Sequence, residues 1–128
     1  MINVIIATHG KLASAALELC EMLTGEKENV QTIGFFPGDS IETLTDCFQT
    51  ALASMEGKTL IVTDIQGGSP CNVAMVMQSL HADVRVISGF SIPLLLEIFD
   101  LREDDGELDV LIQNVIPVGR EAMQQMQP

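Results

Sequence analysis

Aromatic side chains are scarce in this sequence, which has no tryptophan, no tyrosine and only five phenylalanines among its 128 residues. Few rings are therefore available to stack on a flavin or a nucleobase. The glycine-rich spacings GxxxxGK and GxGxxG, which cradle nucleotide phosphates, are also missing. A flavin- or nucleotide-binding module thus lacks its usual markers, although the fold expected below does not by itself exclude one.

Cysteine and histidine are few as well. The three cysteines, Cys20, Cys47 and Cys71, are odd in number and widely spaced, which predicts reduced thiols rather than a disulfide framework. Two histidines and no CxxC pair give no basis for a metal site, and we expect neither a metal nor a cofactor.

Targeting and membrane-spanning segments are also missing from the sequence. The apolar start of the chain has no basic lead-in and no small-residue cleavage motif, so it does not resemble a signal peptide. No run approaches the roughly 20 apolar residues that a membrane span needs. We therefore expect a cytoplasmic protein.

Basic residues are scarce too. Six lysines and arginines stand against 18 acidic residues, which gives a formal net charge of −12. This balance argues against binding to a nucleic-acid backbone, which requires a basic surface. It is compatible with two other interpretations, simple solubility or electrostatic steering toward a basic partner.

Apolar runs alternate with helical periodicity along the whole chain. The runs predict strands at residues 3–8, 30–36, 59–64 and 84–88, each followed by a segment with apolar residues at helical spacing. Four successive βα units predict a flavodoxin-like α/β fold, an open parallel sheet with helices on both faces. We expect a single domain over residues 1–128, with strands one and three adjacent and central.

Serine and proline predict where several helices begin or end. Ser69 is expected to cap the third helix, with Pro70 in its first turn. The acidic stretch Arg102–Glu107 is predicted to be a surface loop before a last helix over residues 107–115. Pro117 is expected to break or kink that helix, because proline lacks the N–H of an intrahelical hydrogen bond.

Three features that are distant in the sequence follow the two central strands. His9 comes just after the first predicted strand, Asp64 ends the third, and the loop Gly67-Gly68-Ser69 follows Asp64. In open parallel sheets, ligands bind beyond the carboxyl ends of the strands, where the strand order reverses. We therefore predict that these residues share one crevice.

The residue types in this crevice suit phosphoryl transfer. An imidazole titrates near neutral pH, so His9 offers a neutral, nucleophilic nitrogen. A carboxylate such as Asp64 on the other ring nitrogen would fix the tautomer and leave the attacking lone pair free. The alternative is a strand-end histidine that only binds a backbone carbonyl.

Backbone N–H groups around the predicted crevice suit an anion. Gly67 and Gly68 precede a helix N-terminus, and Gly10 precedes another, so both helix dipoles have the favourable sense. Ser69 would donate its hydroxyl to a phosphoryl oxygen. By itself, however, the GGSP sequence also fits an ordinary turn between a strand and a helix.

Taken together and in order, the loop motifs resemble those of the mannose-family IIA domain of the phosphoenolpyruvate:sugar phosphotransferase system. The similarity covers nearly the whole chain, and the combination is more specific than any one motif. The motifs that carry it are Thr8-His9-Gly10, Phe36-Pro37-Gly38, Asp64, Gly67-Gly68-Ser69-Pro70-Cys71-Asn72, Gly89 through Ile92-Pro93, and Gly119-Arg120-Glu121.

The resemblance implies a role for each matching residue. His9 corresponds to the histidine that takes a phosphoryl group from the phosphocarrier protein HPr and passes it to the IIB component. Asp64 corresponds to the aspartate that orients this ring, and Ser69 to a residue that contacts the phosphoryl group. The resemblance further implies a flavodoxin-like homodimer that joins the membrane subunits IIC and IID only peripherally.

Two other functions remain possible on the same fold. A signalling receiver would be phosphorylated on Asp64, but it needs further carboxylates after strand one to hold Mg²⁺, and Thr8-His9-Gly10 stands there instead. A flavin- or nucleotide-binding module is the second alternative. The lability of a phosphorylated form would distinguish the first, and an absorbance spectrum the second.

Overall fold

The computed structural model describes residues 1–25, 27–103 and 106–128. Four strands alternate with helices, and a fifth helix follows the fourth. The elements are β1 (Asn3–His9), α1 (Leu12–Thr24), β2 (Val30–Phe35), α2 (Ile41–Ser54), β3 (Thr59–Thr63), α3 (Ser69–Leu80), β4 (Val84–Ser88), α4 (Ile92–Leu101) and α5 (Leu108–Glu121). Within these residues, no helix has both the length and the apolar character needed to cross a bilayer.

The four strands form one parallel sheet in the order β2-β1-β3-β4. The predicted α/β fold is confirmed, and so is the central, adjacent position of β1 and β3. Val4 of β1 pairs with Val30 on one side and with Leu60 on the other. The point where the strand order reverses therefore lies between β1 and β3.

Two apolar layers enclose the sheet. Along β1, Val4 and Ile6 pack into the layer shared with α1, α4 and α5, whereas Ile5 and Ala7 pack into the layer shared with α2 and α3. All four side chains have no accessible surface. Helices on both faces explain why this strand is a continuous apolar run rather than an alternating one.

The start of α3 differs from the prediction by one residue. Gly68, not Ser69, is the N-cap, and Ser69 is the first helical residue, with Pro70 next to it. Gly68 has extended dihedral angles, and its carbonyl accepts the first intrahelical hydrogen bond from the N–H of Asn72 at 2.9 Å. The glycine thus already provides the turn into the helix, and the serine side chain is not used as a cap.

The prediction that Pro117 breaks the last helix is wrong, because α5 continues through it to Glu121. Leu111 and Val115 are buried on one side of this helix, and a Cβ on Gly119 would lie 3.1 Å from the side chain of Leu94 in α4. This packing holds both sides of the proline in one helix. Tertiary contacts therefore outweigh the missing backbone hydrogen bond.

The stretch Arg102–Glu107 is also not wholly a surface loop. Arg102 has no accessible surface, and its guanidinium donates to the carbonyl oxygens of Ile2, Asn29 and Glu28. Charge alone does not reveal such burial, because the partners are backbone carbonyls brought there by the fold. Asp104 and Asp105 lie outside the described residues.

Candidate functional site

His9 and Asp64 lie at the carboxyl edge of the two central strands. His9 is the last residue of β1, one residue beyond the predicted end of the strand, and pairs with Phe35 of β2. Asp64 directly follows β3. Because β1 and β3 are parallel neighbours, their ends bring together two residues that are 55 positions apart in the sequence.

The Asp64 carboxylate makes three short contacts. Its Oδ2 lies 2.8 Å from Nδ1 of His9 and also accepts the backbone N–H of His9 at 3.0 Å. Its Oδ1 accepts the N–H of Ile65 at 3.0 Å. Both carboxylate oxygens are therefore engaged, and the imidazole is held from its Nδ1 edge.

These contacts determine the ionisation of Asp64 and the tautomer of His9. Burial raises the pKa of the Asp64 carboxyl, but hydrogen bonds from the side chain and backbone of His9 and from the Ile65 backbone outweigh it and hold the pKa below its usual value. An ionised carboxylate can only accept, so the shared proton lies on Nδ1. The Nε2 lone pair is then free, on a side chain that keeps 43% of its accessible surface.

Glycines allow the loops around the ring to turn tightly. Gly10 has a φ of 57° and donates its N–H to the carbonyl of Phe35 at 2.8 Å, and Gly67 has a φ of 86°. Both values lie in the left-handed region that favours glycine. Gly68 lies so close to the imidazole that a Cβ placed on it would be 2.7 Å from Cε1 of His9.

The N-terminus of α3 therefore lies beside the imidazole. Ser69 begins this helix and is partly buried, but among the described residues no hydrogen bond joins it to His9 or Asp64. The structure thus brings both Asp64 and Gly68 against His9, and it places Ser69 one residue further along. A contact between Ser69 and a phosphoryl group stays a prediction.

Two other residues support His9 and were not identified as site residues from the sequence. The Phe35 ring meets the His9 ring edge to face, with centroids 6.2 Å apart and planes at 72°. Thr8 is fully buried, and its hydroxyl accepts the N–H of Ala13 at 2.8 Å, which ties the end of β1 to the start of α1. Register pairs Phe35 with His9, and register cannot be read from one strand alone.

The fold and this site together define a class of protein, an α/β domain with a carboxylate-oriented, solvent-accessible histidine at its switch point. Such a histidine suits nucleophilic or acid–base chemistry. Within the part of the chain that the structure describes, no three His, Cys, Asp or Glu side chains are close enough to bind a metal ion.

Residues 3–116 match the family EIIA-man, described as the PTS system fructose IIA component. The chain belongs to this family, the mannose/fructose/sorbose group of IIA components of the sugar phosphotransferase system. The family resemblance that the loop motifs indicated is thereby confirmed.

Relatives and solved structures agree with this assignment. The chain is 39% identical over 126 residues to the PTS system mannose-specific EIIAB component of Escherichia coli K12, covering 95% of this chain but only 38% of that relative. It is 35% identical over 113 residues to the PTS system fructose-specific EIIA component of Bacillus subtilis, covering 87% of this chain and 77% of that one.

Among solved structures, the phosphotransferase system component EIIA of Streptococcus agalactiae superposes with a TM-score of 0.91 at 28% identity. The match covers 98% of this chain and 97% of that one. The parallel sheet with its five helices is therefore the architecture of a IIA domain.

Proposed function

We propose that Nε2 of His9 accepts a phosphoryl group from the phosphohistidine of HPr and passes it to the IIB component during sugar uptake. The observation that carries this proposal is the contact between Nδ1 of His9 and the Asp64 carboxylate. That contact keeps the proton on Nδ1 and leaves Nε2 as the nucleophile.

The transfer is an in-line exchange of one nitrogen–phosphorus bond for another. The bond from phosphorus to the donor imidazole breaks as the bond to Nε2 of His9 forms, and the leaving electron pair stays on the donor ring. The His9 ring gains positive character as it attacks, which the Asp64 carboxylate stabilises. The N-terminus of α3, next to the ring through Gly68, favours the negative phosphoryl oxygens. The residues proposed to contact the phosphoryl group are Gly10, Gly67, Gly68 and Ser69.

The wider role follows from the family. The relatives are named as mannose-, fructose- and sorbose-specific components, and those sugars belong to those proteins. For this chain we propose one IIA domain over residues 1–128, a homodimer in the cytoplasm that serves a membrane complex of IIC and IID through IIB. The phosphoryl group would pass directly between histidine side chains of docked proteins, so no cofactor is required.

Phosphate transfer from phosphoenolpyruvate through enzyme I and HPr, followed by intact mass, tests the proposal. We expect the protein to gain one phosphoryl group that is lost in acid, as a phosphohistidine is. His9→Ala should gain none. His81→Ala is the matched control, because His81 is exposed at the end of α3 and precedes β4, at the edge of the sheet opposite the candidate site. This variant should be phosphorylated like the wild type.

A second variant tests the role of Asp64. Asp64→Asn removes the charge that holds the proton on Nδ1. We therefore expect the rate of phosphorylation by phospho-HPr to fall by about a hundredfold or more. Asp46→Asn, an exposed position on α2, is the control and should retain the wild-type rate.

Three outcomes would contradict the proposal. No mass gain, with active HPr confirmed on another acceptor, excludes the carrier function. A base-labile gain that survives His9→Ala but not Asp64→Asn indicates a receiver phosphorylated on Asp64, although both oxygens of that carboxylate are already hydrogen-bonded. A bound flavin spectrum in the purified protein would favour the cofactor-binding alternative.

A further inference from the structure

The backbone conformation at Gly68 does not require a glycine. Its φ of −75° and ψ of 161° are ordinary extended values, which any residue adopts. This distinguishes it from its neighbour Gly67, whose positive φ favours glycine. An alanine at position 68 would even lower the conformational entropy of the unfolded chain, which normally stabilises a protein.

Steric contact with neighbouring side chains explains the glycine at position 68 instead. A Cβ at this position would lie 2.7 Å from Cε1 and 3.4 Å from Nε2 of His9, and 3.1 Å from Cγ1 of Ile65. The first distance is shorter than carbon atoms tolerate without a shift of one of them. The absent side chain of Gly68 thus leaves room for Cε1 of the imidazole, the ring carbon that joins Nδ1, which contacts Asp64, to Nε2.

The imidazole is the group that would move. The Gly68 carbonyl is held by the N–H of Asn72 at 2.9 Å as the first bond of α3, so the backbone is anchored. The His9 ring, by contrast, is the end of a side chain with 43% of its surface accessible. A displaced ring gives up its 2.8 Å contact with Asp64, and with it the preference for a proton on Nδ1.

We infer that Gly68 is a positioning residue, which acts through His9 because its lack of a side chain leaves room at Cε1 for the imidazole to keep its contact with the Asp64 carboxylate. Without a side chain at position 68, the ring keeps its Nδ1–H tautomer and Nε2 faces the space beside the N-terminus of α3. The consequence for phosphoryl transfer rests on the proposed function, whereas the consequence for the ring does not.

The ring is tested first, by nitrogen-15 NMR of the histidine side chains at a pH where they are neutral. The chain has only two histidines, so His81 serves as an internal reference. We expect His9 of the wild type to show the Nδ1–H tautomer and Gly68→Ala to shift toward Nε2–H. Gly106→Ala is the matched control, since among the described residues nothing lies within 4 Å of its Cβ position.

Transfer kinetics are measured on the same three proteins. Gly68→Ala should lose about tenfold to a hundredfold in the rate of phosphorylation by phospho-HPr, with a circular dichroism spectrum and thermal midpoint like those of the wild type. Gly106→Ala should retain the wild-type rate.

Each result decides the proposal. A Gly68→Ala protein with wild-type ring resonances overturns it, and so does one that fails to fold, because the inference is that the ring yields rather than the backbone. If the wild type is not phosphorylated at all, the proposed function fails, but the tautomer shift in Gly68→Ala still tests the positioning role.

Discussion

At the scale of single residues, the site depends on one carboxylate, that of Asp64, which accepts several hydrogen bonds. Asp64 accepts from the His9 ring, the His9 backbone and the Ile65 backbone, and its side chain is only 14% exposed. The hydrogen bonds favour the ionised form by more than burial disfavours it, so the pKa of Asp64 is lower in the folded protein than in the unfolded chain.

A lowered carboxyl pKa makes stability depend on pH in a defined direction. The contribution of Asp64 is complete above its unfolded pKa of about 4 and is lost as the pH falls through the lower, folded value. We expect the wild type to exceed Asp64→Asn in free energy of unfolding at about pH 6, and the difference to shrink as the pH falls below about 4. Urea unfolding at a series of pH values measures it.

The control for this experiment is Asp46→Asn, whose exposed carboxylate should give a difference that changes little with pH. A wild-type advantage that grows as the pH falls below about 4 would contradict the assignment, since it would mean that folding raises the carboxyl pKa.

At the scale of elements, α5 shows packing overriding local preference. Pro117 lies near the middle of its second half, where it cannot donate to the carbonyl four residues earlier. The helix nevertheless continues, because Leu111 and Val115 are buried on one side and Gly119 fits closely against Leu94 of α4. The helix therefore carries a local cost that its tertiary contacts offset.

Removing this cost should stabilise the protein. Pro117→Ala restores the missing donor at an exposed position and should raise the free energy of unfolding by about 1–3 kcal/mol. Val118→Ala, the next and also exposed position, should change it by no more than about 0.5 kcal/mol. Chemical denaturation compares the two, and a destabilised Pro117→Ala would indicate that the proline is needed where it stands.

At the scale of the whole molecule, Arg102 connects distant parts of the chain. From the end of α4, its guanidinium donates to the carbonyls of Ile2, Asn29 and Glu28, at the amino ends of β1 and β2, and lies 5.1 Å from the centre of the Phe99 ring. The backbone N–H of Ile2 in turn donates to the Arg102 carbonyl. This one side chain thus closes the edge of the sheet opposite the candidate site.

Loss of this guanidinium should be costly, because it leaves the buried carbonyl of Ile2 and the partly buried carbonyls of Asn29 and Glu28 without this donor. Arg102→Met is expected to lower the free energy of unfolding by about 3 kcal/mol or more. Arg85→Met provides the contrast, since Arg85 pairs with Asp109 at the surface and should cost about 1 kcal/mol or less. Equal effects of the two substitutions would contradict the connecting role of Arg102.

The spacing of apolar residues and the residue types in the loops were sufficient to predict much of the fold and of the candidate site. The four apolar runs and their spacing predicted a parallel sheet with helices on both faces, and the flavodoxin-like strand order expected for so few strands placed β1 beside β3. From there the rule for switch points led to His9 and Asp64. These features are local or topological, so that a single sequence contains them.

Only the tertiary structure decided which atoms meet. The N-cap of α3 is Gly68 rather than Ser69, because the backbone at Gly68 is already extended. Helix α5 continues past Pro117 because α4 packs against it. Arg102 is buried because backbone carbonyls from other segments accept its hydrogen bonds. The space that excludes a Cβ at Gly68 exists only once β1 and α3 are in place. Local propensity differences amount to about 1 kcal/mol for most residues, so contacts between distant segments outweigh them.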